Sequence, residues 1–290
     1  MPKITILLPT YNRRHVLPAA LKSIQQQTFT DWRLEVVNDG GDDVRDILVS
    51  YNDARMGYHT IEHKGKAAAL NYALSRLNSE YVAYMDDDDV WLPMHLQELY
   101  SFASDKGHDF VYSDTLVIKT DGAGNKLDEF IENSKSVTWE ELQYQNYINH
   151  KQVLHTKSLA DKTGLYDEEL TILIDYDYIR RMARIAEPAH LNMVTGIHYR
   201  RISEATETGN SITDRWTSDP EGCGRSLLRI FDKSPESLPL IYLNALANAE
   251  LKAENDRLKK LLLQQQKMLE HFKNGQIPKS LGLRDFQVKN

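Results

Sequence analysis

Tyr81-Val82-Ala83-Tyr84-Met85-Asp86-Asp87-Asp88-Asp89-Val90-Trp91-Leu92-Pro93 is the stretch on which the fold turns. Five residues of β-forming, apolar character run into four consecutive carboxylates, and an apolar segment resumes at once. An acidic run in open sequence is normally a solvated loop. Here it sits at a strand end, with core-forming residues on both sides. Two carboxylates 4 Å apart repel by ~1 kcal/mol in water and ~4 kcal/mol at an effective dielectric of 20. A divalent cation relieves that crowding, because a Mg2+-like ion prefers one or two carboxylates plus substrate phosphates and waters. Context upstream favours the metal-plus-diphosphate reading over the bare loop.

Working back from this stretch, strand and helix signals alternate. Ile4 to Leu8 is a short β-rich run stopped by Pro9, and Val16, Leu17, Ala20, Leu21 and Ile24 then recur at helical spacing. Leu34 to Val37 predicts a second strand ending in Asn38-Asp39-Gly40-Gly41-Asp42. Ala67, Leu70, Ala73, Leu74 and Leu77 lie on one helical face before the strand at 81–85. Such alternation predicts βαβ units and an α/β fold with a mostly parallel central sheet flanked by helices. Ligands in these sheets bind beyond the carboxyl ends of the strands. Three such ends carry polar clusters: Thr10-Tyr11-Asn12, Asn38-Asp39 and Asp86 to Asp89. Further on, extended runs at 110–112, 115–118 and 193–198 flank a polar loop at 121–124, and a helix is predicted from Ile174 to Ile185.

Composition narrows the class. The 290 residues are 41% hydrophobic and 27% charged, as in an ordinary globular protein. A net charge of −7 argues against a nucleic-acid binder. That figure hides an asymmetry: residues 251–290 carry nine Lys/Arg against four Asp/Glu, leaving −12 for residues 1–250. The single cysteine, Cys223, excludes an internal disulfide framework and a Cys-rich zinc site. No run approaches the ~20 apolar residues that span a bilayer, and the run from Ile4 to Leu8 is too short for a signal-peptide core, so a cytoplasmic protein is expected. Neither G-x-x-x-x-G-K-[ST] nor a G-x-G-x-x-G after the first strand is present, so the nucleotide expected at the acidic cluster is held by another device.

Pro9-Thr10-Tyr11-Asn12-Arg13, Asn38-Asp39-Gly40-Gly41, Gly65-Lys66 with Asn71, and Met85 to Pro93 resemble the ordered motifs of family 2 glycosyltransferases with the GT-A fold. Gly164-Leu165-Tyr166-Asp167-Glu168-Glu169-Leu170 and Ile174-Asp175-Tyr176-Asp177 resemble that family's G-x-F-D-E-x-L and E-D-x-D segments. Together the motifs cover roughly residues 3–215. The resemblance implies a metal-dependent, inverting transfer of sugar from a UDP- or dTDP-sugar to a glycan hydroxyl. The implied acceptor is a growing bacterial surface glycan, lipid-linked or otherwise membrane-proximal.

It also assigns residues. Pro9, Thr10, Tyr11 and Asn12 would line the base and ribose pocket. Asp39 would accept from a pyrimidine N3–H, besides its bland role as a turn former before two glycines. Lys66 would neutralise donor phosphate, the alternative being a solvated lysine at a helix start. Asp86 and Asp88 form the D-x-D pair, with Asp88 ligating Mn2+ or Mg2+ and Asp86 at the ribose and metal-bound waters. Asp87 takes the variable position, and Asp89 the following carboxylate near sugar or acceptor. Asp175 is the expected general base, with Ile174 standing where the family has Glu, and Asp177 a helix-starting carboxylate. His198-Tyr199-Arg200-Arg201 resembles the family's C-terminal loop motif, with Ile202 at the usual histidine position. Arg200 and Arg201 would then contact the diphosphate, and His198 is either a substitute metal ligand or a strand-end histidine. Trp91 and His150 are the acceptor candidates, His150 lying with Trp139, Tyr144, Tyr147 and Asn149 where the family's acceptor-facing segment falls.

The transferase domain is expected to span 1–215, with a polar loop at 203–218 acting as a lid and a linker at 216–238. One helical pattern runs from about 239 to 274, with Leu251, Leu258 and Phe272 at one heptad position and Leu262 and Leu269 at its partner. It predicts a coiled coil that makes a homo-oligomer, against the alternative of a helix packed on its own domain. The basic tail, 275–290, is placed to approach anionic lipid or an enzyme partner. Rival readings are a glycan-binding scaffold without catalysis, a sugar nucleotidyltransferase, and a piece of a larger multidomain synthase.

Overall fold

The computed structural model describes residues 1–201, apart from 122, 133–134 and 144–145, together with 225–227 and 229–230. For Arg201 it describes the backbone alone; of the linker expected at 216–238 only 225–227 and 229–230 are described, and they are helical, while the expectations for Ile202, the 203–218 loop, the long helix and the tail lie outside the described residues.

The N-terminal half is a parallel α/β sheet. Strand β1 (Ile4–Thr10) lies between β2 (Trp32–Asn38) and β4 (Tyr81–Tyr84), and β3 (Met56–Thr60) pairs with β2. β1 runs on through Pro9, which pairs in register with Val37. Ile4, Ile6 and Leu8 join Leu34, Val36 and Ala83 against helix α1 (Leu17–Gln25) and helix α4 (His95–Lys106). The intervening Thr5 and Leu7 are buried as well, as expected of a central strand covered on both faces. Helix α2 (Arg45–Ser50) precedes β3, and helix α3 (Lys66–Leu74) packs on β1 and β2.

The second half turns the sheet mixed. β8 (Val153–Thr156) lies antiparallel between β4 and β6 (Phe110–Thr120), and β9 (Ala189–Arg201) runs parallel to β6. The extended runs expected at 110–112 and 115–118 are thus one strand, and the polar loop at 121–124 is the turn into β7 (Lys126–Glu132). The short β5 (Asp89–Trp91) pairs antiparallel with β9, Asp89 opposite His198. Helices α5 (Lys157–Thr163) and α6 (Ile174–Ile185) follow, α6 with the bounds its periodicity predicts.

Register places the site. Thr10 is opposite Asn38 and Leu7 opposite Tyr84, so the carboxyl ends of β1 and β2 and the aspartates after β4 meet at one end of the parallel strands.

Candidate active site

The four aspartates divide by burial. Asp87, expected at a variable position, is a buried bolt: Thr10 Oγ1 donates to its Oδ2 (2.8 Å) and Arg13 Nη1 to its Oδ1 (3.0 Å). Burial pushes its carboxyl up to about 6, although Arg13 pulls the other way. The same Arg13 nitrogen donates to Asp88 Oδ2 at 2.7 Å. Asp88 keeps 38% of its side chain exposed, so it is the carboxylate of the run most open to a ligand. Asp86 accepts from Lys66 Nζ at 2.6 Å. Burial alone would raise the Asp86 carboxyl, but Lys66 and Lys151 outweigh it and hold it well below the usual carboxylate range.

Lys66 reaches Asp86 because Gly65, at φ +98°, turns the chain sharply into α3. Burial disfavours its ammonium, yet the charges of Asp86, Asp175 and Asp88 together raise it above its ordinary value. Asp175 is half-buried in the first turn of α6, where its Oδ1 accepts from Tyr176 N (2.9 Å). The residue two before it, Leu173, is buried in the left-handed region at φ +59°. That conformation costs an L-residue roughly 1–2 kcal/mol, and such strain gathers at functional sites. Tyr166 also feels the Asp175 charge, and its hydroxyl pairs with His150 Nε2 at 2.8 Å.

The loops after β1 and β2 are knitted together. Asn12, at φ +54°, accepts from Asp42 N (2.9 Å), and a Cβ on Gly41 would lie 2.7 Å from Asn12 N. Asp39 is buried and accepts from Lys64 N and Gly65 N, each at 2.9 Å, so it secures the loop that leads into α3. Tyr11 stays exposed above it.

The structure turns the three acceptor candidates inward. Trp91 is buried, its Nε1 donating to Lys151 O (2.9 Å) and its ring stacked on His95. His150 is buried on the Tyr84 ring, and burial with the nearby Lys66 charge pushes its imidazole down to about 3, so it is neutral. Asp89 is buried between Lys151 Nζ (2.5 Å) and His198 Nδ1 (2.7 Å). None of the three offers a face to an acceptor. His198 commits Nδ1 inward to Asp89, and Arg200 pairs with Glu132 of β7 (3.1 Å) rather than with the aspartates. Asp177 is buried and holds Arg181, which caps the carbonyls of Thr163 and Leu165. Arg13 and Asn71, which stood in the quoted motifs without a role, take structural ones here, and Lys151 is a member that the sequence reading did not single out.

Among the described residues no group of three or more His, Cys, Asp or Glu could enclose a metal ion. Asp86 and Asp88 nevertheless suit a hard cation that takes one or two carboxylates and completes its shell with phosphate oxygens and water. Among the described residues no helix is long and apolar enough to cross a membrane.

Residues 5–171 match the model of the family described as glycosyl transferase family 2. The chain is similar to the Escherichia coli UDP-Glc:alpha-D-GlcNAc-diphosphoundecaprenol beta-1,3-glucosyltransferase WfgD, 30% identical over 126 residues that make 43% of this chain and 50% of that one. It is also similar to the E. coli putative colanic acid biosynthesis glycosyl transferase WcaA, 28% identical over 208 residues, 68% of this chain and 72% of that one. The chain thus spans about half the length of WfgD, and 56% of the Bacillus subtilis putative teichuronic acid biosynthesis glycosyltransferase TuaG. In fold it is like S. aureus TarS 1–349 in complex with UDP (TM-score 0.56, 20% identity, 68% of this chain and 60% of that one). It is also like the Pyrobaculum calidifontis mannosyltransferase PcManGT in complex with GDP-Man and Mn2+ (TM-score 0.55, 16% identity, 89% of this chain and 80% of that one). These likenesses assign the mixed sheet with its flanking helices to the GT-A fold. With the aspartate run and the Lys66 helix start both inside the matched segment, which covers more than half of the sequence, the chain belongs to glycosyl transferase family 2.

Proposed function

We propose that this protein transfers a sugar, with inversion and with a divalent metal, from a UDP- or dTDP-sugar to a hydroxyl of a bacterial surface glycan. The observation that carries the reading is the convergence of opposed charges at the ends of the parallel strands: Lys66 Nζ lies 2.6 Å from Asp86 and Arg13 Nη1 2.7 Å from Asp88, and the Asp86, Asp88 and Asp175 charges all favour the Lys66 ammonium. Such a cluster suits a diphosphate leaving group on one side and a proton acceptor on the other. Asp86 and Asp88 would hold the cation, which when bound neutralises charge on the leaving diphosphate. Tyr11 and Asp39 would take the base, and Lys66 would shift from Asp86 toward phosphate.

Asp175 would receive the acceptor hydroxyl proton as the new C–O bond forms and the bond from the anomeric carbon to phosphate breaks. It stands at a helix N-terminus, where a carboxylate is favoured. A lipid-linked acceptor is supported by the likeness to WfgD, a UDP-Glc:alpha-D-GlcNAc-diphosphoundecaprenol beta-1,3-glucosyltransferase. Oligomerisation through 239–274, and association with membrane or partner enzymes through the basic tail, are parts of the same proposal. In a transfer assay with purified protein, Asp88→Ala and Asp175→Asn should each lower turnover by roughly 10²-fold or more, the scale of an acid–base group. Full activity in either variant contradicts the assigned role.

A further inference from the structure

We propose that His63 is a built-in stand-in for the nucleotide base, occupying the base slot in the empty enzyme and turning out when the nucleotide arrives. The inference rests on the reading above, in which Tyr11 and Asp39 bind a pyrimidine. His63 lies in the loop between β3 and α3, and this loop sits directly on Gly40: at φ +78°, a Cβ there would fall 2.7 Å from His63 N. The imidazole stacks on Tyr11, with ring centroids 4.1 Å apart and planes 13° from parallel. Its Nδ1 lies 2.8 Å from Asp39 Oδ2 and 3.0 Å from the Asp39 carbonyl oxygen.

Both of those neighbours are acceptors, so Nδ1 carries the hydrogen and donates it. His63 therefore offers this pocket a flat aromatic ring with one face on a phenol and a ring N–H aimed at a buried carboxylate. A uracil or thymine bound there offers the same two features through its own face and its N3–H. One slot cannot hold both rings. The imidazole is the part free to leave, because 54% of the His63 side chain is exposed. The backbone need not follow it, since Asp39 still holds Lys64 N and Gly65 N at 2.9 Å each. His63 thus keeps the pocket in its binding shape, and the nucleotide must displace it, which lowers apparent affinity by the fraction of time the slot is filled.

The test is calorimetric titration of UDP into the full chain in EDTA, comparing the unsubstituted protein, His63→Ala and Tyr11→Ala. A stand-in predicts that His63→Ala binds UDP roughly threefold to tenfold more tightly, the range of one net hydrogen bond. It also predicts that, in protein labelled with 13C-histidine, the His63 ring signal moves to the free-histidine position on saturation with UDP. Unchanged or weaker UDP binding by His63→Ala overturns the proposal, weaker binding identifying His63 as a fixed wall of the site. Tyr11→Ala separates the two levels. If Tyr11→Ala weakens UDP binding while His63→Ala leaves it unchanged, the base site stands and the stand-in alone is refuted. If Tyr11→Ala leaves UDP binding unchanged, the base site falls and the stand-in with it.

Discussion

Asn71→Ala should cost this fold about 2–3 kcal/mol. Asn71 is buried in the middle of α3, where its side chain serves the loop 166–168 instead of its own helix. Its Nδ2 donates to Tyr166 O (3.0 Å) and Glu168 Oε1 (2.8 Å), and its Oδ1 accepts from Tyr166 N (2.8 Å). Truncation strands two backbone groups of a buried residue, at about 1–2 kcal/mol each. Alanine returns about 0.6 kcal/mol as the better helix former, leaving about 1.4–3.4 kcal/mol, a range centred on the figure above. At about 2–4 °C per kcal/mol for a domain of this size, the Tm should fall by about 5–10 °C in thermal unfolding followed by circular dichroism. Asn71→Asp keeps the acceptor for Tyr166 N, loses both donated bonds and sets a carboxylate against Glu168, so it should be at least as damaging. A Tm loss below about 2 °C in Asn71→Ala would refute the reasoning, since it would mean that the Tyr166 backbone finds other partners.

Gly41→Ala should weaken UDP binding and cost about 1–3 kcal/mol, because its Cβ would meet Asn12 N at 2.7 Å and push the Tyr11–Asn12 turn away. Urea denaturation and calorimetry measure the two effects. Arg13→Gln should tighten nucleotide-free Mn2+ binding severalfold, read by electron paramagnetic resonance, because it removes the cation that now holds Asp88 at 2.7 Å; weaker binding would show that Arg13 presents Asp88 to the metal. Gly196→Ala should lower stability by about 1–3 kcal/mol, since its Cβ would fall within van der Waals radii of Gln152 Nε2. Gln152 cannot retreat easily, because it is buried and its Oε1 accepts from Ser113 and Thr195 at 3.0 Å each.

The parallel half of the fold was legible because its signals are local. Apolar runs in β1, β2 and β4 and the periodicity of α1, α3 and α6 suffice to set them in order. β3 was not, since Met56-Gly57-Tyr58-His59-Thr60 is half-exposed, carries a glycine and pairs only with β2 along the sheet path. Its strand character comes from that pairing. β8 was hidden for the same reason, its order being set by pairing with β4, far away in sequence, whereas β7 is the return strand of a hairpin with β6 and carries mostly exposed residues that give no apolar run. In the site, residue type pointed to the carboxyl ends of the strands but not to burial. Trp91, His150 and Asp89 carry polar or aromatic groups that suit an acceptor, and each is instead paired inward. Asp87 shows the converse: a position expected to vary became the bolt between β1 and the aspartate run.

The central claim is metal-dependent turnover of a pyrimidine diphosphate sugar at the Asp86–Asp88 end of the strands. It is tested most directly by supplying purified protein with UDP-, dTDP-, GDP- and CMP-sugars in turn, with Mn2+ or with EDTA, and measuring release of the nucleotide. The account predicts release from a UDP- or dTDP-sugar with Mn2+, loss of that release in EDTA, and loss again in Asp88→Ala. Equal release in EDTA, or release from a GDP- or CMP-sugar alone, would contradict it.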